Sequence, residues 1–263
     1  MSETTETVRS RSSLDGQTAV VTGASAGIGR AITEVFAADG ANVVVCSRTL
    51  DDVEAVADEF ANLPGDVEPV EADVTDRDDV AALAEATEEA FGGVDILVNN
   101  AGGGAGLMPL DEVGGDVWDD VVDVNLTGVY NVTHAFADAL QAGDPSAVVN
   151  VASMAGEYGV EGMGPYSAAK GGVISLTRTL ARDWADEDVR VNAVSPGFIA
   201  TEKLRENFGY DAEIERGNAD RKWGTPAEVA DLVRFLASDA ASFVDGQSVR
   251  ITGTPNTYQT PDL

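Results

Sequence analysis

The chain has 263 residues, 44% of them hydrophobic, with 28 glycines, the make-up of a globular domain large enough to bury its own core. One cysteine (Cys46) and one histidine (His134) exclude an intramolecular disulfide, a zinc site of His and Cys, and any Ser-His-Asp triad that does not use His134, so no metal centre is expected. Sixteen Lys and Arg against 46 Asp and Glu give a net charge of −30, which disfavours nucleic-acid binding.

The acids run through the whole chain, as in Asp51-Asp52, Glu88-Glu89 and Asp119-Asp120, rather than forming a tail. Self-repulsion at this density is screened at molar salt, where the Debye length is about 3 Å. We therefore expect a halophilic protein of a salt-accumulating cytoplasm, the alternative being an ordinary acidic protein. No apolar run approaches the ~18 residues of a membrane span, and the polar start has no secretory apolar segment.

Residues 1–14, rich in Ser, Thr and Glu, read as a flexible arm. Short Val- and Ile-rich runs then alternate with helical periods. Strands are predicted at 18–22, 42–46, 67–72, 96–99, 147–152, 189–194 and 248–252, most of them buried on both faces. Helices are predicted at 27–38, 50–61, 77–91, 117–139, 164–184 and 226–237. The β-α alternation implies one α/β domain over 15–254, a doubly wound parallel sheet of seven strands with helices on both faces. Residues 195–220 break the pattern and read as a substrate loop or lid; 255–263 read as a polar tail.

The first strand runs into Gly23-Ala-Ser25-Ala26-Gly27-Ile28-Gly29 and then a helix. Glycines there let the backbone turn and approach a pyrophosphate, and the helix N-terminus offers free N–H groups to the anion. The spacing is Gly-x-x-x-Gly-x-Gly; a turn with no ligand is the competing reading.

Tyr166 and Lys170 lie four apart on a predicted helix and share a face. A phenol with a pKa near 10 is a poor acid–base group, but a neighbouring ammonium lowers that pKa. The pair could then give a proton to a carbonyl or take one from an alcohol. Ser153 follows the strand at 147–152, at the sheet edge where ligands sit, and could hold the substrate oxygen; a turn-capping serine is the alternative.

With Asp73-Val74, Asn99-Asn100-Ala101-Gly102, Asn125 in Val-Asn-Leu-Thr-Gly, and Pro196-Gly197, these motifs stand in one order along 15–253. In this the chain resembles the short-chain dehydrogenases/reductases, a family of Rossmann-type fold. The resemblance implies that Tyr166 is the acid–base residue, that Lys170 depresses its pKa and binds the nicotinamide ribose, and that Ser153 holds the reacting oxygen. It implies that Asn125 holds a water linking Lys170 to solvent; the plainer reading is an Asn closing a helix kink, and both can hold at once. Cofactor contacts are implied at Gly23, Ser25, Ala26, Gly27, Ile28 and Gly29 in the loop, at Asp73 and Val74 on the adenine, at Asn100, Ala101 and Gly102 beside its ribose, and at Pro196, Gly197, Ile199 and Thr201 around the nicotinamide.

NAD-preferring members carry Asp where this chain has Ser47, followed by Arg48; the missing carboxylate and the phosphate-binding geometry of Arg imply NADP(H). Ala26 adds no second basic residue. The implied function is an NADP(H)-dependent oxidoreductase interconverting a carbonyl and a secondary alcohol, with a 3-oxoacyl-thioester reductase as the leading form. Alternatives are a sugar, polyol or small-alcohol dehydrogenase and a non-catalytic dinucleotide sensor. The resemblance also implies a homotetramer (or homodimer) built on the 117–139 and 164–184 helices, with Thr252-Gly253-Thr254 departing from the family's pattern at a second interface. The substrate pocket is expected from 103–108, 154–163 and 198–217, with Phe198, Leu204, Phe208 and Tyr210 as an apolar lid and Lys203, Arg205 and Arg216 as cations. His134, Cys46 and the three tryptophans are read as packing or surface residues.

Overall fold

The computed structural model describes residues 10–104, 106–143, 145–208 and 221–253. The expectations for 1–9, for Tyr210 and Arg216 and for the tail at 255–263 lie outside the described residues, as does the side chain of Phe208. Seven strands form one parallel sheet: β1 (Thr18–Thr22), β2 (Asn42–Ser47), β3 (Val67–Glu71), β4 (Ile96–Asn99), β5 (Ser146–Val151), β6 (Val189–Pro196) and β7 (Ser248–Ile251). Their order is β3-β2-β1-β4-β5-β6-β7. The chain crosses from one side of β1 to the other after β3, so β1 and β4 diverge at their carboxyl ends and open a crevice there.

The crossovers are α1 (Gly27–Ala38), α2 (Leu50–Phe60), α3 (Arg77–Phe91), then α4 (Gly115–Val122), α5 (Gly128–Ala135) and α6 (Ala137–Ala142), followed by α7 (Met154–Tyr158), α8 (Gly164–Asp183), α9 (Glu202–Phe208) and α10 (Pro226–Ala237). Alternation along the strands sorts the core. Ala19, Val21, Val43, Val45, Ile96 and Val98 face Ile32, Phe36, Val233 and Leu236 of α1 and α10. Val20, Val44, Leu97 and Val148 face Leu83, Val132, Phe136 and Leu140 on the other side. Each fully buried side chain of this size stabilises the fold by roughly 1.5–3 kcal/mol.

β1, β4 and β5 are buried throughout, but β3 and β7 are edge strands and only partly so, because each has a neighbour on one side alone. The arm is shorter than expected. Leu14 is fully buried in the core, its N–H donates to Asp39 Oδ2 at 3.1 Å, and Arg234 donates to the Ser12 carbonyl.

The helix expected over 117–139 is not continuous. It passes from α4 through a π-helical turn at Asp123–Thr127 into α5, and breaks again at Phe136. Asn125 causes the turn. Its Nδ2 donates to the Val121 carbonyl at 2.8 Å, inserting a side chain into the helix ladder, and also to the Gly103 carbonyl at 2.9 Å. His134 is exposed and stacks on Tyr130 with ring centroids 5.6 Å apart. Cys46 is buried, and burial pushes its thiol up to about 12, so it acts as a small hydrophobe.

Candidate active site

The crevice is an open cleft of about 580 Å³. At its β1 end, Gly23 and Gly27 have φ of 63° and 58°, in the left-handed region. A Cβ on Gly23 would lie 2.8 Å from Ala101 Cα, and one on Gly29 would lie 2.3 Å from the Gly23 carbonyl oxygen. The loop thus turns back on itself and delivers the first turn of α1 to the cleft. Ala26 caps that helix without a side-chain hydrogen bond, and no acid lies in its first turn. The amides there remain available to an anion.

Thr22 braces the loop against the β4 side. Its Oγ1 accepts from the Asn100 and Ala101 amides at 3.0 Å each, while Asn100 Nδ2 donates to the Thr22 and Gly23 carbonyls at 2.9 Å. Asn100 therefore spends its amide group on the loop. Asp73 Oδ1 accepts from the amide and hydroxyl of Thr75, and Ser47 Oγ donates to the Thr49 carbonyl at 2.9 Å. Arg48 beside it is exposed.

At the other end, Ser153 caps α7, a short helix absent from the sequence prediction; its Oγ accepts from the Ala155 amide at 3.1 Å, and it shares the cleft wall with Tyr166. Desolvation pushes the Tyr166 phenol above its usual 10, more than the Ser153 hydroxyl lowers it. Lys170, 3% exposed, donates from Nζ to the Val151 carbonyl at 2.8 Å, and burial lowers its ammonium to about 8. Nζ lies 5.8 Å from the centre of the Tyr166 ring. The ammonium is anchored on a strand carbonyl, and desolvation pushes the phenol up and the ammonium down, each toward its neutral form. Asn125 Oδ1 accepts from the Gly103 amide at 3.1 Å, so its side chain is committed to the turn between α4 and α5 and to the loop after β4.

The cleft wall carries Gly23, Ser25, Ala26, Gly27, Ile28, Ser47, Arg48, Asp73, Val74, Asn100, Ala101, Gly102, Asn125, Ser153, Tyr166, Lys170, Pro196, Gly197, Ile199 and Thr201. Gly29 lies behind it, as a packing glycine. Sequence reading missed Thr22 as a brace, although it opens the glycine motif, and missed Asp120, Val121 and Val124, which the π-helical turn brings to the wall. Lys203 and Leu204 are on the wall, but Phe198 is not; it packs edge to face on Trp223 and lines a separate cavity of about 260 Å³. Arg205 turns back to the Ala200 carbonyl.

The cleft offers backbone donors at one end and a phenol, a hydroxyl and an ammonium at the other. This division of labour defines a dinucleotide-dependent enzyme of doubly wound fold. The chain belongs to the short chain dehydrogenase family, whose model matches residues 17–209, and it is an oxidoreductase of that family. It is 40% identical over 245 residues to the 3-oxoacyl-(acyl-carrier-protein) reductase FabG of Thermotoga maritima, covering 91% of this chain and 98% of the relative. A short-chain dehydrogenase/reductase from Mycobacterium marinum superposes with a TM-score of 0.87 at 32% identity, over 96% of this chain and all of that one. A candidate NAD(P)-dependent gluconate 5-dehydrogenase from Beutenbergia cavernae, with NADP bound at low occupancy, superposes with a TM-score of 0.83 at 42% identity, over 92% of this chain and 98% of its own. The family binds nicotinamide dinucleotides, and the residues present fit one: the cradle has no room for a Cβ at Gly23 or Gly29, and the first-turn amides of α1 meet no acid. Among the described residues no helix is long and apolar enough to cross a membrane, and no cluster of His, Cys, Asp and Glu could hold a metal ion.

Proposed function

We propose that the protein is an NADP(H)-dependent carbonyl reductase, with 3-oxoacyl thioesters as its substrate class. The observation that carries the chemistry is the half-buried Tyr166 on the cleft wall with Ser153, and Lys170 anchored behind it. Bound cofactor supplies the hydride. Ser153 hydrogen-bonds the substrate oxygen as charge develops there, and Tyr166 Oη gives its proton to that oxygen. Lys170 holds ribose hydroxyls and, beside a phenolate once formed, its charge stabilises that anion. Asn125 steadies the Gly103 backbone at the cleft floor and links Lys170 to solvent through water.

The cofactor form is inferred from the rim of β2, where Ser47 brings no carboxylate and Arg48 stands exposed and able to meet a 2′-phosphate. The thioester class is supported by the Thermotoga maritima relative and by Lys203 and Leu204 on the wall, a cation beside an apolar group. A sugar or polyol substrate is the second reading, supported by the gluconate dehydrogenase neighbour. A homotetramer assembled on α4, α5 and α8 is in keeping with the exposed Trp118 and Tyr130 on the first two helices, and the charge balance with a salt-rich cytoplasm.

The test is NADPH oxidation in molar KCl with acetoacetyl-CoA, a longer 3-oxoacyl thioester, a simple ketone, a diketone and a ketosugar. Thioester turnover that falls at least about 100-fold in Tyr166→Phe, with NADPH affinity retained, is expected. Turnover on sugars alone moves the substrate to the second reading. NADPH binding with no turnover on any of the five sinks the catalytic assignment.

A further inference from the structure

α7 is five residues long, too short to hold its own geometry, yet it carries Ser153 at its cap. Two consecutive residues tie it down. Gly156 lies against the backbone of α8: a Cβ there would sit 2.5 Å from the Lys170 carbonyl carbon and 2.6 Å from the Gly171 nitrogen. Glu157 reaches the sheet. Its Oε1 accepts from Ser248 Oγ on β7 at 2.7 Å and from Ser195 Oγ on β6 at 3.1 Å, and these two hydroxyl oxygens are 2.8 Å apart.

None of the three residues touches the cleft, so none can be a ligand contact. Their place in the fold gives them another use. Ser195 is fully buried and immediately precedes Pro196 and Gly197 on the cleft wall. Two hydroxyl protons serve three close oxygen contacts, and Glu157 Oε1 accepts both, so that one oxygen bridges two strands to one helix. An apolar side chain at 157 would leave the two hydroxyls only each other.

We propose that Glu157 is a positioning residue. Through Ser195 and Ser248 it sets the spacing between the Ser153 end of α7 and the Pro196–Gly197 wall, and so between the substrate oxygen and the hydride-bearing face of the cofactor. The proposal rests on the carbonyl-reductase reading above.

The experiment measures NADPH oxidation with acetoacetyl-CoA and with a diketone, and NADPH affinity by nicotinamide fluorescence, in Glu157→Ala, Glu157→Gln and the pair Ser195→Ala with Ser248→Ala. Displacements well under an ångström are at stake, so Glu157→Ala should lose about tenfold in kcat, with NADPH affinity unchanged and KM moved less. Glu157→Gln, whose amide oxygen can accept both hydroxyls, should recover most of the rate. The serine pair should match Glu157→Ala, and combining all three should add nothing. A wild-type kcat in Glu157→Ala, or a loss that Gln does not restore, overturns the proposal. Where the wild type turns over neither substrate, the carbonyl-reductase reading fails on its own. Exchange of the Ala155 amide, held by Ser153 Oγ, then decides the positioning by NMR. Faster exchange in Glu157→Ala than in wild type and Glu157→Gln supports it; equal rates overturn it.

Discussion

Lys170 Nζ donates to the carbonyl of Val151 at 2.8 Å, so a side chain of α8 closes over the last residue of β5. The bond joins the helix that carries Tyr166 to the strand that leads into Ser153. It also holds an ammonium at 3% exposure, where burial lowers it from 10.5 to about 8.

That depression has a sign. Between about pH 8 and 10.5 the unfolded chain binds more protons at Lys170 than the folded one, so this residue makes folding more favourable as pH rises through that window. At neutral pH it costs the fold on the order of 3 kcal/mol. Lys170→Met removes the charge and the bond to Val151, the latter worth about 1–3 kcal/mol if the carbonyl stays unpaired. We expect a variant of near-native thermal stability at pH 7 that falls progressively behind the wild type toward pH 10, while losing catalysis. Above pH 10 the raised Tyr166 pKa acts in the opposite direction in both proteins, so midpoints should be compared from pH 7 to 10. A difference that stays flat over that range would show that the ammonium is not desolvated.

Arg48 stands at the rim where Ser47 spends its hydroxyl on Thr49. Replacing it with Asp removes a phosphate partner and adds a ribose acceptor. A charged hydrogen bond of about 1.5–3 kcal/mol corresponds to roughly 10- to 150-fold, and the NADPH to NADH ratio of kcat/KM should fall by at least that much. An unchanged ratio would remove Arg48 from the cofactor site.

Gly29 and Gly114 give a matched pair. A Cβ on Gly29 would meet the Gly23 carbonyl oxygen at 2.3 Å and Asn100 Nδ2 at 2.5 Å; on Gly114 it would meet nothing within 4 Å. Gly29→Ala should cost about 1–3 kcal/mol and weaken cofactor binding, because the loop must move. Gly114→Ala should be close to neutral in both thermal midpoint and cofactor affinity. Equal behaviour of the two would mean that the loop is not held as tightly as its contacts imply.

Salt should stabilise the fold. Three ion pairs, Arg30–Glu59, Arg221–Glu228 and Arg234–Asp39, engage only a few of the acids among the described residues. The remaining repulsion is screened as KCl rises from dilute buffer to molar concentration, and the thermal midpoint should climb by several degrees. A flat or falling midpoint would contradict the reading of the charge.

Much of this protein was legible along the chain. The Val- and Ile-rich runs placed all seven strands to within two residues, and α1, α3 and α10 begin and end where their periodicity does. The glycine spacing, Ser153 and the Tyr166–Lys170 pair could be named because strand-to-helix turns and four-residue helical spacing are local properties. Periodicity alone did not break the 117–139 helix; the kink at Asn125 was readable only as one role of that residue, and its bond to Gly103, 22 residues away, was not readable at all.

The sequence by itself determined the element order, the polar character of the surface and the residue types at the cleft, because backbone propensity and side-chain alternation act over a few residues. Only the tertiary structure decided which groups those residues meet. Lys170 finds a strand carbonyl, Asn100 finds the glycine loop, and Glu157 finds two serines 38 and 91 residues away. Such bonds depend on how helices settle on the sheet, which no local pattern encodes, and burial then sets whether the captured groups carry charge.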